Sequence, residues 1–148
     1  MALPAEVVDI GYGKGLIASR DCEPGEVVAV WHGRVVDKYE DVPEESIIYT
    51  LNFRTAEDPT YRWLIPHCDA MYVNHSCKPN CTIDDEQRIV TIRPVKKGEE
   101  FTTVYNCGDE SDWWDQRWTF KCRCGAPNCQ GDIDRYRRVD KFGNPLPE

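Results

Sequence analysis

The chain has 148 residues, 41% hydrophobic and 30% charged, the balance of an ordinary globular protein rather than of a disordered chain. That length fits one domain that buries roughly 70% of the surface its unfolded chain would expose. The net charge of −8 disfavours general binding to phosphate backbones, so no direct nucleic-acid contact is expected, and it suits a basic partner.

No apolar run reaches the ~18–20 residues that a membrane span needs. The opening "MALPAEVVDIGYGKG" has neither the basic start nor the long apolar stretch of a secretion signal. A reducing, intracellular location is therefore expected. There, eight cysteines point to metal or to burial rather than to disulfides.

In chain order, the first feature is "GYGKGLIASRDCEPGE" (11–26). Its three alternate glycines let the backbone approach a ligand closely or take positive φ. Neither G-x-x-x-x-G-K-S/T nor G-x-G-x-x-G is present, so it is not a phosphate loop or a dinucleotide fingerprint. The plain alternative is a Gly-rich turn between strands.

Short strands are then expected at "VVAVW" (27–31), "IIYTLNF" (47–53), "YRWLI" (61–65), "RIVTIR" (88–93) and "FTTVY" (101–105), all rich in β-branched and aromatic residues. Pro24-Gly25, Gly33 and Gly98 mark turns between them. A sustained helical period is absent, although "DESDWWDQRW" (109–118) has room for one helical turn. The ending "DKFGNPLPE" (140–148) is expected to be loose. The domain reads as mainly β.

Two clusters carry chemistry. "FKCRCGAPNCQG" (120–131) sets Cys122, Cys124 and Cys129 as C-x-C-x4-C. Zinc takes four ligands in a tetrahedron, so a fourth must come from Cys77, Cys81 or Cys107. "YVNHSCKPNC" (72–81) crowds small polar groups behind a Tyr-Val pair. His75 and Cys77 suggest a Cys–His nucleophilic pair, but two residues of spacing need not bring them together, and nothing marks an oxyanion hole.

Taken in order, these pieces resemble the SET-domain family of protein lysine methyltransferases. "GKGLIA" (13–18) is similar to its G-x-G-L-F-A opening, and "EPGEVVAVWHG" (23–33) to G-E-x-I-x-x-Y-x-G. "YVNHSCKPNC" is similar to the signature F-I-N-H-S-C-x-P-N-C, and "KGEEFTTVYN" (97–106) to G-E-E-L-T-x-D-Y. "CRCGAPNCQG" (122–131) resembles the zinc-binding post-SET segment. The resemblance covers about residues 7–133 and implies small β-sheets, few short helices and a C-terminal pseudoknot that brings Asn74–Cys77 beside Tyr105. It implies a SET domain over 1–110, a post-SET zinc segment over 118–133 and a tail over 134–148.

The resemblance further implies S-adenosylmethionine as methyl donor and a lysine ε-amine of a protein as acceptor. Asn74 and His75 would hold the cofactor, with Lys14 and Gly15 touching it through backbone and Tyr72 beside it. Tyr105 would be the central catalytic and cofactor-contacting residue, and Trp31, Tyr72 and Thr103 would line the lysine channel. Cys77 would join Cys122, Cys124 and Cys129 on a structural Zn²⁺, since four thiolates leave no open position. The lysine must be neutral to attack, which at pH 7 costs about 4.6 kcal/mol from a pKa of about 10.4. Desolvation and a nearby sulfonium both favour the neutral amine.

Three positions depart from the family pattern. Trp31 stands where Tyr is common and offers only an N–H donor. Met71 stands where Arg is common. Thr103 stands where Phe or Tyr is common, and its smaller size implies room to add more than one methyl. Cys22, Cys81 and Cys107 read as small buried residues, with Cys81 or Cys107 in reserve as ligand. Trp113, Trp114 and Trp118 suit either tail packing or a peptide groove.

A catalytically weak SET-fold module that binds a basic peptide is the competing reading. The expected partner is a basic lysine-containing protein, a histone tail or a non-histone protein alike. The expected compartment is nucleus or cytoplasm, or a host cell for a secreted effector; no membrane partner is expected.

Overall fold

The structure, a computed structural model, describes residues 3–11, 13–53, 62–84, 86–104, 120–122, 124, 127, 129, 131–133 and 142–144, with backbone alone at 47, 48, 51–53, 120, 132 and 133. These residues form short strands in five small sheets, with brief 3-10 turns at Tyr39–Asp41, Glu44–Tyr49 and Asp69–Tyr72. The protein is mainly β, as its β-branched segments imply. No helix among the described residues is long and apolar enough to cross a membrane.

β1 (Ala5–Asp9) and β2 (Lys14–Ala18) make an antiparallel hairpin that sets Asp9 opposite Lys14. The other edge of β2 takes residues 98–101. Gly98 N–H donates to Ala18 O, Ala18 N–H to Glu99 O and Phe101 N–H to Leu16 O, each at 2.8 Å. The glycine segment is therefore a strand gripped on both sides.

A second sheet runs β3 (Val27–Val30), β9 (Arg88–Thr91), β8 (Cys81–Ile83), antiparallel throughout. A third runs β4 (Gly33–Val36), β6 (Arg62–Pro66), β5 (Leu51–Phe53), also antiparallel. β6 is its middle strand, and Trp63–Pro66 are all buried, as a strand flanked on both edges requires.

The fourth sheet is the smallest and positions the site. β7 (Asn74–His75) pairs in parallel with β10 (Thr102–Thr103), with Asn74 opposite Thr102 and His75 opposite Thr103. Ser76 N–H extends the pairing to Thr103 O at 3.0 Å. β11 (Phe120–Lys121) and β12 (Asp132–Ile133) close an antiparallel pair around the C-terminal cysteines.

One core joins these sheets. Leu16, Val28, Ile89 and Phe101 have no exposed surface and cluster with Ala18, Trp31, Leu64 and Val73. Full burial of a large apolar side chain contributes about 1.5–3 kcal/mol. Phe101 therefore pins the chain just before β10 and fixes where β10 meets β7. A satellite cluster of Val36, Val42, Trp63 and Ile65 sits under Tyr39.

Two expectations are corrected. Residues 47–49 are not strand but end the 3-10 stretch Glu44–Tyr49. Ser46 N–H bonds back to Pro43 O at 2.9 Å, and Thr50 Oγ1 donates to Ser46 O at 2.8 Å, so local bonds win over β propensity until Leu51. The ending is not loose throughout: Gly143 is buried against the signature. A Cβ there would lie 2.7 Å from Cys77 O and 2.6 Å from Pro79 Cδ, so only glycine fits. The expected helical turn at 109–118 lies outside the described residues.

Candidate functional site

The signature strand β7 and the turn after it organise everything nearby. Asn74 donates through Nδ2 to Lys14 O at 3.0 Å and to Glu100 Oε2 at 2.7 Å. It thereby ties β7 to β2 and to the segment that leads into β10. Gly15 makes this possible, because a Cβ there would lie 2.6 Å from Glu100 Oε2.

Asn80, at the end of the signature, fastens the same segment from the other side. Its Nδ2 donates to Glu100 O at 2.8 Å, and its Oδ1 accepts from Thr102 N–H at 2.9 Å. Its side chain thus stands in for a strand's backbone. Ser76 Oγ accepts from Lys78 N–H at 3.1 Å and closes the turn between the two asparagines.

Lys14 and Tyr72 meet above β2. The ammonium lies 5.3 Å from the ring centroid, within cation–π range. Tyr49 meets Tyr72 edge-on, with centroids 6.5 Å apart and planes at 71°. Met71 packs, half-buried, against the core.

Trp31 and Thr103, expected along the lysine channel, are 8% and 2% exposed. Trp31 Nε1 and Thr103 Oγ1 have no hydrogen-bond partner among the described residues. Tyr105, expected at the centre, lies outside the described residues, as do Cys107, Trp113, Trp114 and Trp118. Thr103, two residues before Tyr105, is opposite His75 in the parallel pair.

Four of the described cysteines come together. Cys77, Cys122, Cys124 and Cys129 bring their sulfurs within 4.8 Å of one another, and Cys77 Sγ lies 3.7 Å from Cys122 Sγ. A tetrahedral ion with Zn–S of about 2.3 Å sets its sulfurs about 3.8 Å apart, so this donor set fits Zn²⁺. Burial pushes the Cys122 thiol up, and thiols that bind a cation give up their protons to it.

His75 Nε2 is 3.3 Å from Cys77 Sγ, and burial pushes its imidazole down to about 4. The ring is neutral at pH 7 and donates Nε2–H when Cys77 is a thiolate. This contact is a hydrogen bond to a cysteine of the cluster and not an exposed nucleophilic pair. Cys22 and Cys81, by contrast, are sealed in the main core.

Among the described residues, Glu100 is a contact residue to which motif reading assigns no role. The signal for it is the doubled acid of "GEE": Glu99 is exposed, whereas Glu100 turns inward to Asn74.

Comparison with known proteins adds the lineage. Human "Histone-lysine N-methyltransferase 2D" is 32% identical over 130 residues, covering 80% of this chain and 2% of that protein. "Histone-lysine N-methyltransferase set-2" of Caenorhabditis elegans is 32% identical over 140 residues, covering 83% and 9%. "Histone-lysine N-methyltransferase, H3 lysine-4 specific" of Emericella nidulans is 34% identical over 96 residues, covering 60% and 7%. The chain thus spans less than a tenth of the length of these curated relatives. The family model described as "SET domain" matches residues 13–106, more than half of the chain, and the chain belongs to the SET domain family.

Proposed function

We propose that the protein is an S-adenosylmethionine-dependent protein lysine methyltransferase with a structural Zn²⁺ on Cys77, Cys122, Cys124 and Cys129. The observation that carries this reading is the parallel pairing of Asn74–His75 with Thr102–Thr103, which lays the signature beside the strand leading to Tyr105. The relatives are named for histone-lysine methylation, which favours transfer over simple binding.

When bound, S-adenosylmethionine supplies an electrophilic methyl group on a sulfonium. Asn74 and His75, the Lys14–Gly15 backbone and the Tyr72 ring would hold it. Tyr105 orients the lysine nitrogen through its hydroxyl. Trp31, Tyr72 and Thr103 line the approach and exclude water, which favours the neutral amine. The four thiolates tie the C-terminal strands to the signature and close the site from one end. The SET unit spans 1–110, the zinc segment 118–133 and the tail 134–148 in this reading.

The substrate is a basic protein, with a histone tail favoured by the relatives' names and by the chain's net charge of −8. The work is intracellular, where such a substrate and reduced thiols coexist. Small Thr103 leaves room for a methylated amine, so dimethyl- and trimethyl-lysine are expected products.

The experiment is calorimetric titration with S-adenosylmethionine, followed by mass spectrometry of lysine-rich peptides after incubation. Binding with methyl-mass additions on lysine supports the enzyme. Binding of cofactor and peptide without any addition supports instead a peptide-binding module, and product that stops at one methyl contradicts the reading of Thr103.

A further inference from the structure

We propose that Glu100 is a positioning residue for cofactor binding: its carboxylate orients the Asn74 amide so that Oδ1 alone faces the cofactor. The proposal rests on the methyltransferase reading above.

The amide can be oriented from chemistry alone. Its two near neighbours, Lys14 O and Glu100 Oε2, are both acceptors, so the atom between them must be the nitrogen. Both N–H groups are thereby used. Among the described residues no donor meets Asn74 Oδ1, which leaves one acceptor to recognise a donor on the ligand. S-adenosylmethionine carries such donors in its ammonium, amino and hydroxyl groups. Without Glu100 only Lys14 O holds the nitrogen, so the orientation of the amide is less firmly fixed.

Glu100 is built for this role. Its carbonyl is held by Asn80 Nδ2 at 2.8 Å, its backbone bridges to Ile17, and the next residue, Phe101, is wholly buried. Gly15 leaves the space that the carboxylate fills. Among the described residues Glu100 meets no cation.

The test uses the full zinc-loaded chain and a double-mutant cycle on the calorimetric Kd for S-adenosylmethionine, read beside its KM. Glu100→Ala is expected to raise KM about tenfold with kcat changed by less than about twofold, the pattern of lost binding rather than lost chemistry. Glu100→Gln, which keeps an acceptor, is expected to stay within about threefold of wild type. In an Asn74→Ala background Glu100→Ala should have no further effect, because the group it orients is gone.

Equal losses in both backgrounds, or a fall in kcat at unchanged KM, would overturn the proposal. If Glu100→Ala does not fold, Glu100→Asp, which shortens the reach of the same carboxylate, is read in the same cycle. Wild-type protein that binds no S-adenosylmethionine overturns the methyltransferase reading and this proposal together. Wild-type binding with an additive cycle overturns this proposal alone.

Discussion

Cys77 Sγ lies 3.7 Å from Cys122 Sγ, joining the turn after β7 to the C-terminal strand pair across 45 residues of sequence. A contact that long-range has a high loop-closure cost, which a bound dication can offset and four neutral thiols cannot. One zinc per chain is therefore expected by elemental analysis of protein purified under reducing conditions. Cys77→Ser and Cys122→Ser should each weaken retention by at least about tenfold, and chelation should lower the melting temperature. Full metal retention in either variant would contradict the assignment.

Asn80 and Asn74 clasp the same segment but differ in what they do. Asn80 replaces a strand neighbour for Glu100 O and Thr102 N, so its role is mechanical. Asn80→Ala strips both partners and should cost about 1–3 kcal/mol in denaturant unfolding. Asn80→Asp keeps an acceptor for Thr102 but sets a carboxylate against Glu100 O, and should not recover stability.

The core thiols should be inert. Burial, reinforced by Cys22, pushes the Cys81 thiol up to about 12 from 9.0, and burial likewise raises Cys22. Iodoacetamide at pH 8 should leave both unlabelled in peptide maps of the folded protein and label both after unfolding. The unfolded chain loses the Cys81 proton first as pH rises. Stability from this group is therefore complete below about 9 and is lost between about 9 and about 12. Rapid labelling of Cys81 in the folded state would contradict its burial.

Gly143 makes the C-terminal tail part of the site. Gly143→Ala puts a methyl against Cys77 O and Pro79 Cδ at a φ of +85°, so the segment 142–144 must lift. Faster hydrogen exchange over those residues, with residues 14–18 unchanged, is the expected result. Unchanged exchange would mean that the tail is held elsewhere.

Much of this was legible in the residues. β-branched and aromatic runs mark β3, β6 and β9, because β6 and β9 are middle strands and β3 buries Val28 and Ala29. β2 was obscured by its glycines, and β7 by its length of two residues, since polar side chains there serve contacts rather than burial. The metal set followed from the cysteine spacing only as far as three ligands. The family resemblance named Cys77 as the fourth, and the structure brings its sulfur to the other three. Asn80 bonds across to Glu100 and Thr102, a long-range pairing that no local pattern encodes. Glu100 was hidden for the same reason, being one of two adjacent acids in a turn sequence.

The central claim is methyl transfer to lysine, with Tyr105 at the reacting nitrogen. The most direct test is single-turnover transfer from labelled S-adenosylmethionine to core histones, comparing zinc-loaded wild type with Tyr105→Phe. The account predicts label on lysine with wild type and a loss of about 10²-fold or more in rate with the variant, at similar cofactor affinity. Equal labelling by both proteins, or no labelling by a wild type that binds the cofactor, would contradict it.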